Sequence, residues 1–169
     1  IWFLSDGSIY EGQFVDGKPH GHGKYTYTEG QIFFGEYKQG RMNGFGSFED
    51  SSGNRYIGPY ENDKSHGFGI YVYGEGSDAG KQYEGQFVNG EQKGRAVLFK
   101  DGQILAQGNF VASETGGIRV SRGYVVNNAK ELQGWRAQKK ILDEKSRDLI
   151  TARQAHSQAM IKFQIDKKE

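Results

Sequence analysis

Tyr10-Glu11-Gly12-Gln13-Phe14 returns as Phe33-Phe34-Gly35-Glu36-Tyr37, as Tyr56-Ile57-Gly58-Pro59-Tyr60 and as Tyr83-Glu84-Gly85-Gln86-Phe87. Gly12, Gly35 and Gly58 stand 23 residues apart, and after one insertion Gly85 and Gly108 resume that interval. Self-similarity at a fixed period marks a stack of small units, none of which buries a core alone. Within the first unit Tyr10, Gly12 and Phe14 fall on one parity and Glu11, Gln13 and Val15 on the other, the period of a β-strand. Asp16-Gly17 then supplies the residues of a two-residue hairpin turn. Gln39-Gly40, Asn62-Asp63 and Asn89-Gly90 hold the same place in later units. A second strand follows over 21–27, with Gly21, Gly23, Tyr25 and Tyr27 on one parity. Each unit therefore reads as a β-hairpin, and hairpins in series make an antiparallel meander.

Alternation of glycine with Tyr or Phe has a packing reason. A strand glycine leaves its backbone bare, so a neighbouring ring can lie over it. The expected fold is mainly β: an extended single-layer antiparallel meander followed by one long C-terminal helix. The repeat sheet is expected over 1–126, with clear units at 10–32, 33–55, 56–82 and 83–105. Residues 1–9 read as a partial unit. A degenerate unit at 106–126 ends in a strand at Gly123-Tyr124-Val125-Val126. The insertion at 74–80 reads as a flexible loop, because its acids lack the spacing of a calcium loop.

Composition limits the function classes. The 26 glycines keep a period, which excludes a low-complexity linker. There is no cysteine, hence neither a disulfide framework nor a thiolate metal site. No apolar run approaches the roughly 20 residues of a membrane-spanning helix. The chain starts mid-pattern at Ile1-Trp2-Phe3-Leu4, which reads as a piece of a longer, intracellular protein. Residues 1–127 carry 12 Lys and Arg against 15 Asp and Glu, whereas the remaining tail carries 10 against 6. A mildly acidic repeat region thus precedes a mildly basic tail.

The repeats resemble the MORN (membrane occupation and recognition nexus) family, whose pattern is Tyr-x-Gly-x-aromatic, a turn with Gly, then His/Asn-Gly-x-Gly and aromatics. His20-Gly21-His22-Gly23, Asn43-Gly44-Phe45-Gly46 and His66-Gly67-Phe68-Gly69 carry the second half of that pattern. Lys93-Gly94-Arg95-Ala96 departs from it by losing the second glycine. The resemblance implies a single-layer sheet used as an interaction platform, often for protein and sometimes for lipid. It also implies settings such as cytoskeletal and ciliary assemblies, membrane contact sites, or an accessory arm of an enzyme.

From residue 127 the composition changes to Ala, Gln, Lys, Glu and Arg. Asn128 with Glu131 reads as a capping box opening a helix to about 167. Trp135, Leu142, Leu149, His156 and Phe163 recur every seven residues and share one side of a helical wheel with Ala152, Ala159 and Met160. Leu132, Ile150, Ile161 and Ile165 form a thinner second line. The residues between do not make a clean coiled-coil seam, so one main contact stripe is expected.

A one-layer sheet cannot bury a face by itself. The rings are therefore expected to receive a long helix, supplied by this tail, a second copy or a partner. The expected contact rings are Tyr10, Phe14, Tyr25, Tyr27, Phe33, Tyr37, Tyr56, Tyr60, Tyr71, Tyr73, Tyr83 and Phe87. Trp135, Leu142, Leu149 and Phe163 are expected to meet them from the helix. Glu11, Glu36 and Glu84 come from different units and read as a polar opposite face, not as paired catalytic acids. His20 and His66 share a repeat position and read as turn residues. Neither a nucleophile elbow nor a zinc helix occurs, so no enzyme, no cofactor, no metal and no small-molecule substrate are expected. Nucleic acid is not expected either, because no basic patch accompanies the rings. Lys18, Arg41 and Lys64 form a row at 23-residue spacing, the basis of the alternative reading as a lipid-headgroup site.

Overall fold

A computed structural model describes the backbone of residues 1–112, 118–123 and 129–166. Side chains of 112, 118–123, 129–132, 164 and 165 lie outside the description. The expected strand over 124–126, the cap at Asn128 and the side chains of Leu132 and Ile165 fall in those regions.

Among the described residues twelve strands follow one another in chain order: β1 (Trp2–Phe3), β2 (Ile9–Val15), β3 (Lys18–Thr26), β4 (Ile32–Lys38), β5 (Arg41–Glu49) and β6 (Arg55–Glu61). Then come β7 (Lys64–Ser65), β8 (Gly67–Val72), β9 (Lys81–Val88), β10 (Glu91–Lys100), β11 (Gln103–Ala112) and β12 (Ile118–Gly123). All pairings are antiparallel, each strand lies beside its sequence neighbour, and the short β7 sits on the end of β6. The open meander expected from the repeats is the fold. One α-helix, α1 (Ala129–Asp166), closes the description. Its 38 residues extend about 57 Å at 1.5 Å per residue.

The hairpin turns have the geometry their sequences ask for. Asp16 and Gly17 both take positive φ, at 50° and 72°, and the turns at 39–40, 62–63, 89–90 and 101–102 repeat this. Two consecutive positive φ values define the turn that matches the twist of a hairpin. Asp63 occupies a position given to glycine in the other turns and has φ 70°. It is held there from both sides: its Oδ1 accepts the Met42 N–H at 2.8 Å, and its own N–H donates to Met42 O at 3.0 Å. Equivalent backbone bonds run from Gly40 to Pro19 O and from Gly90 to Ser65 O, so each turn is tied to the unit before it.

The insertion is a loop outside the strands, as expected. Gly76–Asp78 forms one 3₁₀ turn. The Gly74 N–H donates to Asn54 Oδ1, and Lys81 pairs with Asp78. One end is thus tied to the β5–β6 connection and the other to the start of β9.

Candidate interaction faces

The glycine-bearing face is filled by its own rings. Tyr10 lies over Gly12 and Gly23, Phe33 over Gly35 and Gly46, and Tyr56 over Gly58 and Gly69. A Cβ on Gly35 would sit 2.6 Å from Gly46 Cα and 2.8 Å from Phe45 O, so nothing larger than hydrogen fits. Lying flat, each ring spans two strands and reaches the next unit. Edge-to-face contacts then run without a gap from Trp2 through Phe14, Tyr10, Tyr37, Phe33, Tyr60, Tyr56, Phe87 and Tyr83 to Phe110. Within units the centroids are 5.1–5.4 Å apart, and between units 4.7–5.4 Å. Perpendicular pairs at this separation are worth about 0.5–1.5 kcal/mol beyond the area they bury.

Tyrosine at the inner ring position adds a polar tie. Tyr10 Oη donates to Gln13 O, Tyr56 Oη to Pro59 O and Tyr83 Oη to Gln86 O, at 2.7–3.0 Å. Burial pushes the Tyr10 phenol up to about 12 and raises Tyr37, Tyr56 and Tyr60 as well. Tyr10, Phe33, Tyr37, Tyr56, Tyr83 and Phe87 are all buried. Tyr25, Tyr27, Tyr60, Tyr71 and Tyr73 are half-buried around them, and Phe14 is exposed.

Helix α1 does not lie on this face. It crosses the opposite one, where the sequence reading expected a polar surface. Leu142 and Leu149 are buried there against Phe34 and Phe45, with Ile57, Phe68, Ile70 and Ala152 packed around them. Trp135 meets Phe68 edge-on at 6.2 Å, and His156 meets Phe34 at 5.6 Å. The direction of travel is therefore from the third unit back toward the first. The physical reason for the correction is that the glycines let the rings lie down and cover one another, so the inner rings are buried without α1.

Of the expected helix residues, Trp135, Leu142 and Leu149 do touch the sheet, on this other face. Phe163 is 42% exposed, and Ile150 and Ile161 are exposed as well. Glu11, Glu36 and Glu84, the carboxylates expected on this face, are engaged. Glu11 pairs with Lys24 at 3.3 Å, and Glu36 Oε1 accepts the Phe45 N–H. Glu84 is 5% exposed and meets Lys139 of α1 at 3.5 Å. His66 donates its backbone N–H to Pro59 O at the hairpin bulge. Burial lowers the basicity of His156, whose Nε2 is buried with no hydrogen-bond partner among the described residues. No group of three or more potential ligands could hold a metal ion among the described residues. Lys18, Arg41 and Lys64 open the second strands of three successive hairpins and are exposed.

The seat for α1 was missed by the sequence reading, although it left a signal. The residue before the central glycine is Glu11, Phe34, Ile57 and Glu84 in successive units. The residue between the paired glycines of the second strand is His22, Phe45 and Phe68, with Arg95 in the fourth unit. Both positions are polar at the ends of the array and apolar in the middle, and the apolar middle is where the helix sits.

A family model for the MORN repeat matches residues 10–32, 33–55, 56–78 and 83–104. No curated protein matches the chain.

Proposed function

Because this chain belongs to the MORN repeat family, a family of non-enzymatic repeat modules that bind proteins or membranes, we propose that it is a protein-interaction scaffold with two separate jobs on its two faces. The ring face is a self-sealed spine that joins the units into one ribbon. The opposite face is a seat for an amphipathic helix, filled here by α1. One observation carries this reading: Trp135, Leu142, Leu149 and His156, one every seven residues, all rest on the apolar middle of the sheet. Each buried leucine contributes about 1.5–3 kcal/mol, enough to hold the helix yet little enough for a competitor to displace it.

The test uses the whole chain. In a Leu142→Asp, Leu149→Asp variant, backbone amides of α1 exchange quickly while those of the sheet stay protected. A synthetic peptide spanning residues 129–166 then binds this variant in trans, and binds the wild type weakly because its seat is full. If the peptide ignores the variant although the sheet is intact, the seat is not a helix-binding site.

A second reading, attachment to an anionic membrane, draws on the exposed row of Lys18, Arg41 and Lys64. Sedimentation with phosphatidylserine vesicles tests it. Binding that salt weakens and that Lys18→Glu, Arg41→Glu and Lys64→Glu together abolish favours the membrane over a protein partner.

A further inference from the structure

Helix α1 covers only part of the apolar floor beneath it. Alongside it runs an open groove of about 390 Å³. Phe45, Pro59 and Phe68 form its floor, and Leu142 and Ile141 form its helical wall. Ile141 is 58% exposed, although it flanks the buried stripe and docking of α1 gives it no partner. The floor is preformed: Pro59 is rigid, and a Cβ on Gly44 would collide with the side chain of Glu36.

Charge around the groove leans basic at its rim. Lys145 stands on the helical wall. Lys139 and Lys140 pair with Asp143 and Glu144, whereas Lys145 has no carboxylate partner among the described residues. The far rim follows from strand register. In β4, Phe34, Glu36 and Lys38 share the face of α1, and Lys38 pairs with Arg41. In β6, Ile57, Pro59 and Glu61 share it, and Glu61 pairs with Lys64. One step outside the floor, that face therefore carries Lys38, Arg41 and Lys64 against Glu61 and, opposite Val88 in the fourth unit, Glu91. Glu36, the one acid lining the groove, already accepts the Phe45 N–H.

We propose that this groove binds an acidic amphipathic helix of a partner protein, laid beside α1. Its apolar side chains fill the space between Ile141 and Phe68, and its carboxylates meet Lys145 on one side and the Lys38–Arg41–Lys64 rim on the other. The volume suits two or three large side chains, as a helix presents from positions i, i+3 or i+4, and i+7. Complementary rims set which partner enters, more than how tightly it binds. This rests on the scaffold reading but uses a different surface, since α1 stays in place.

The test takes the full chain and three synthetic helical peptides of about 18 residues that share one apolar stripe. Their polar faces are all Glu, balanced Glu and Lys, or all Lys, and fluorescence anisotropy reads binding at low salt. The acidic peptide is expected to bind at least about tenfold more tightly than the basic one. Ile141→Glu is expected to weaken it about tenfold and Lys145→Glu several-fold, while Lys140→Glu leaves it unchanged. Ile141 and Lys145 are exposed, so neither change threatens the fold. Absence of binding by the acidic peptide overturns the proposal. So does equal binding of all three peptides, insensitivity to Ile141→Glu, or binding only of phosphatidylserine vesicles. A failure here with the 129–166 peptide still seating on the double-aspartate variant removes the groove and leaves the scaffold reading standing.

Discussion

The two faces of this sheet are made by the same strands and obey different rules. On the ring face the units say the same thing: Tyr10, Phe33 and Tyr56 each lie flat over a pair of glycines, and these three and Tyr83 are linked by ring contacts to the next unit. On the helix face the units disagree, with Glu11, Phe34, Ile57 and Glu84 at one equivalent position. Periodicity is what a stack needs to propagate itself, since each interface has to fit the next. A binding surface needs the reverse, because a partner of finite size has to find one place on a repeating track. The residues that repeat therefore hold the ribbon together, and those that break the repeat say where something docks.

The sharpest way to break that contrast is to crowd the ring face. Gly35→Ala places a Cβ against Gly46 Cα and Phe45 O, both backbone, so relief requires parting β4 from β5. Phe33 would also be lifted from its bed, opening the chain of rings at its centre. The expected cost is about 3 kcal/mol, the upper end for overpacking a tight interior. Urea unfolding of the whole chain measures it. The matched change on a hairpin tip, Gly17→Ala, meets nothing within 4 Å and pays only for its φ of 72°, about 1 kcal/mol. Equal losses at the two positions would mean that the rings do not depend on bare backbone.

This asymmetry also decides what the sequence could disclose. The meander, its hairpin turns and the glycine–ring face were legible because each rests on a local rule repeated several times: alternation, turn pairs such as Asp16-Gly17, and rings two residues from a glycine. The heptad-spaced stripe at Trp135, Leu142 and Leu149 was legible for the same reason. The side on which α1 lies was not. That depends on whether the rings still need a cover, a question of three-dimensional closure that no single strand answers. A sheet face of upright side chains would have needed the helix, and a face of rings lying on glycine does not. Phe34, Phe45 and Phe68 passed unnoticed because they look like permitted variation when each unit is matched to a pattern. Their meaning appears only when equivalent positions are read across units.

The two faces should also fail at opposite ends of the pH scale. The buried phenols of the ring face have raised pKa values, Tyr10 to about 12, because burial disfavours the phenolate. An unfolded tyrosine ionises near 10, so the unfolded chain releases protons first and stability falls as pH rises from about 10 toward 12. On the helix face His156 has a lowered pKa because its ring is desolvated, an effect that Glu11 opposes and Lys24 reinforces. Its neutral form belongs to the docked helix, so docking weakens as pH falls below the free value near 6.5. Amide exchange followed against pH is expected to show α1 loosening first in acid with the sheet intact, and the sheet itself giving way in alkali. His156→Gln should flatten the acid limb and leave the alkaline one alone. Loss of both faces together at either extreme would mean that the ring spine and the helix seat are one cooperative unit.

The smallest effect asks whether the ring face is as periodic as it looks. Tyr10, Tyr56 and Tyr83 each donate a hydroxyl to the carbonyl three residues on, and Phe33 alone lacks one. The equivalent acceptor in its unit is the carbonyl of Glu36. Phe33→Tyr would place an oxygen where the other units have theirs, over the same pair of glycines. A half-buried hydrogen bond of this kind is worth about 1 kcal/mol, less the cost of fitting one more atom beneath Tyr60. The variant is therefore expected to match or slightly exceed the wild type in urea unfolding, while Tyr56→Phe loses about 1 kcal/mol. If Phe33→Tyr instead destabilises by as much as Tyr56→Phe, the second unit has a shape of its own. The spine would then be a set of similar joints and not one joint repeated.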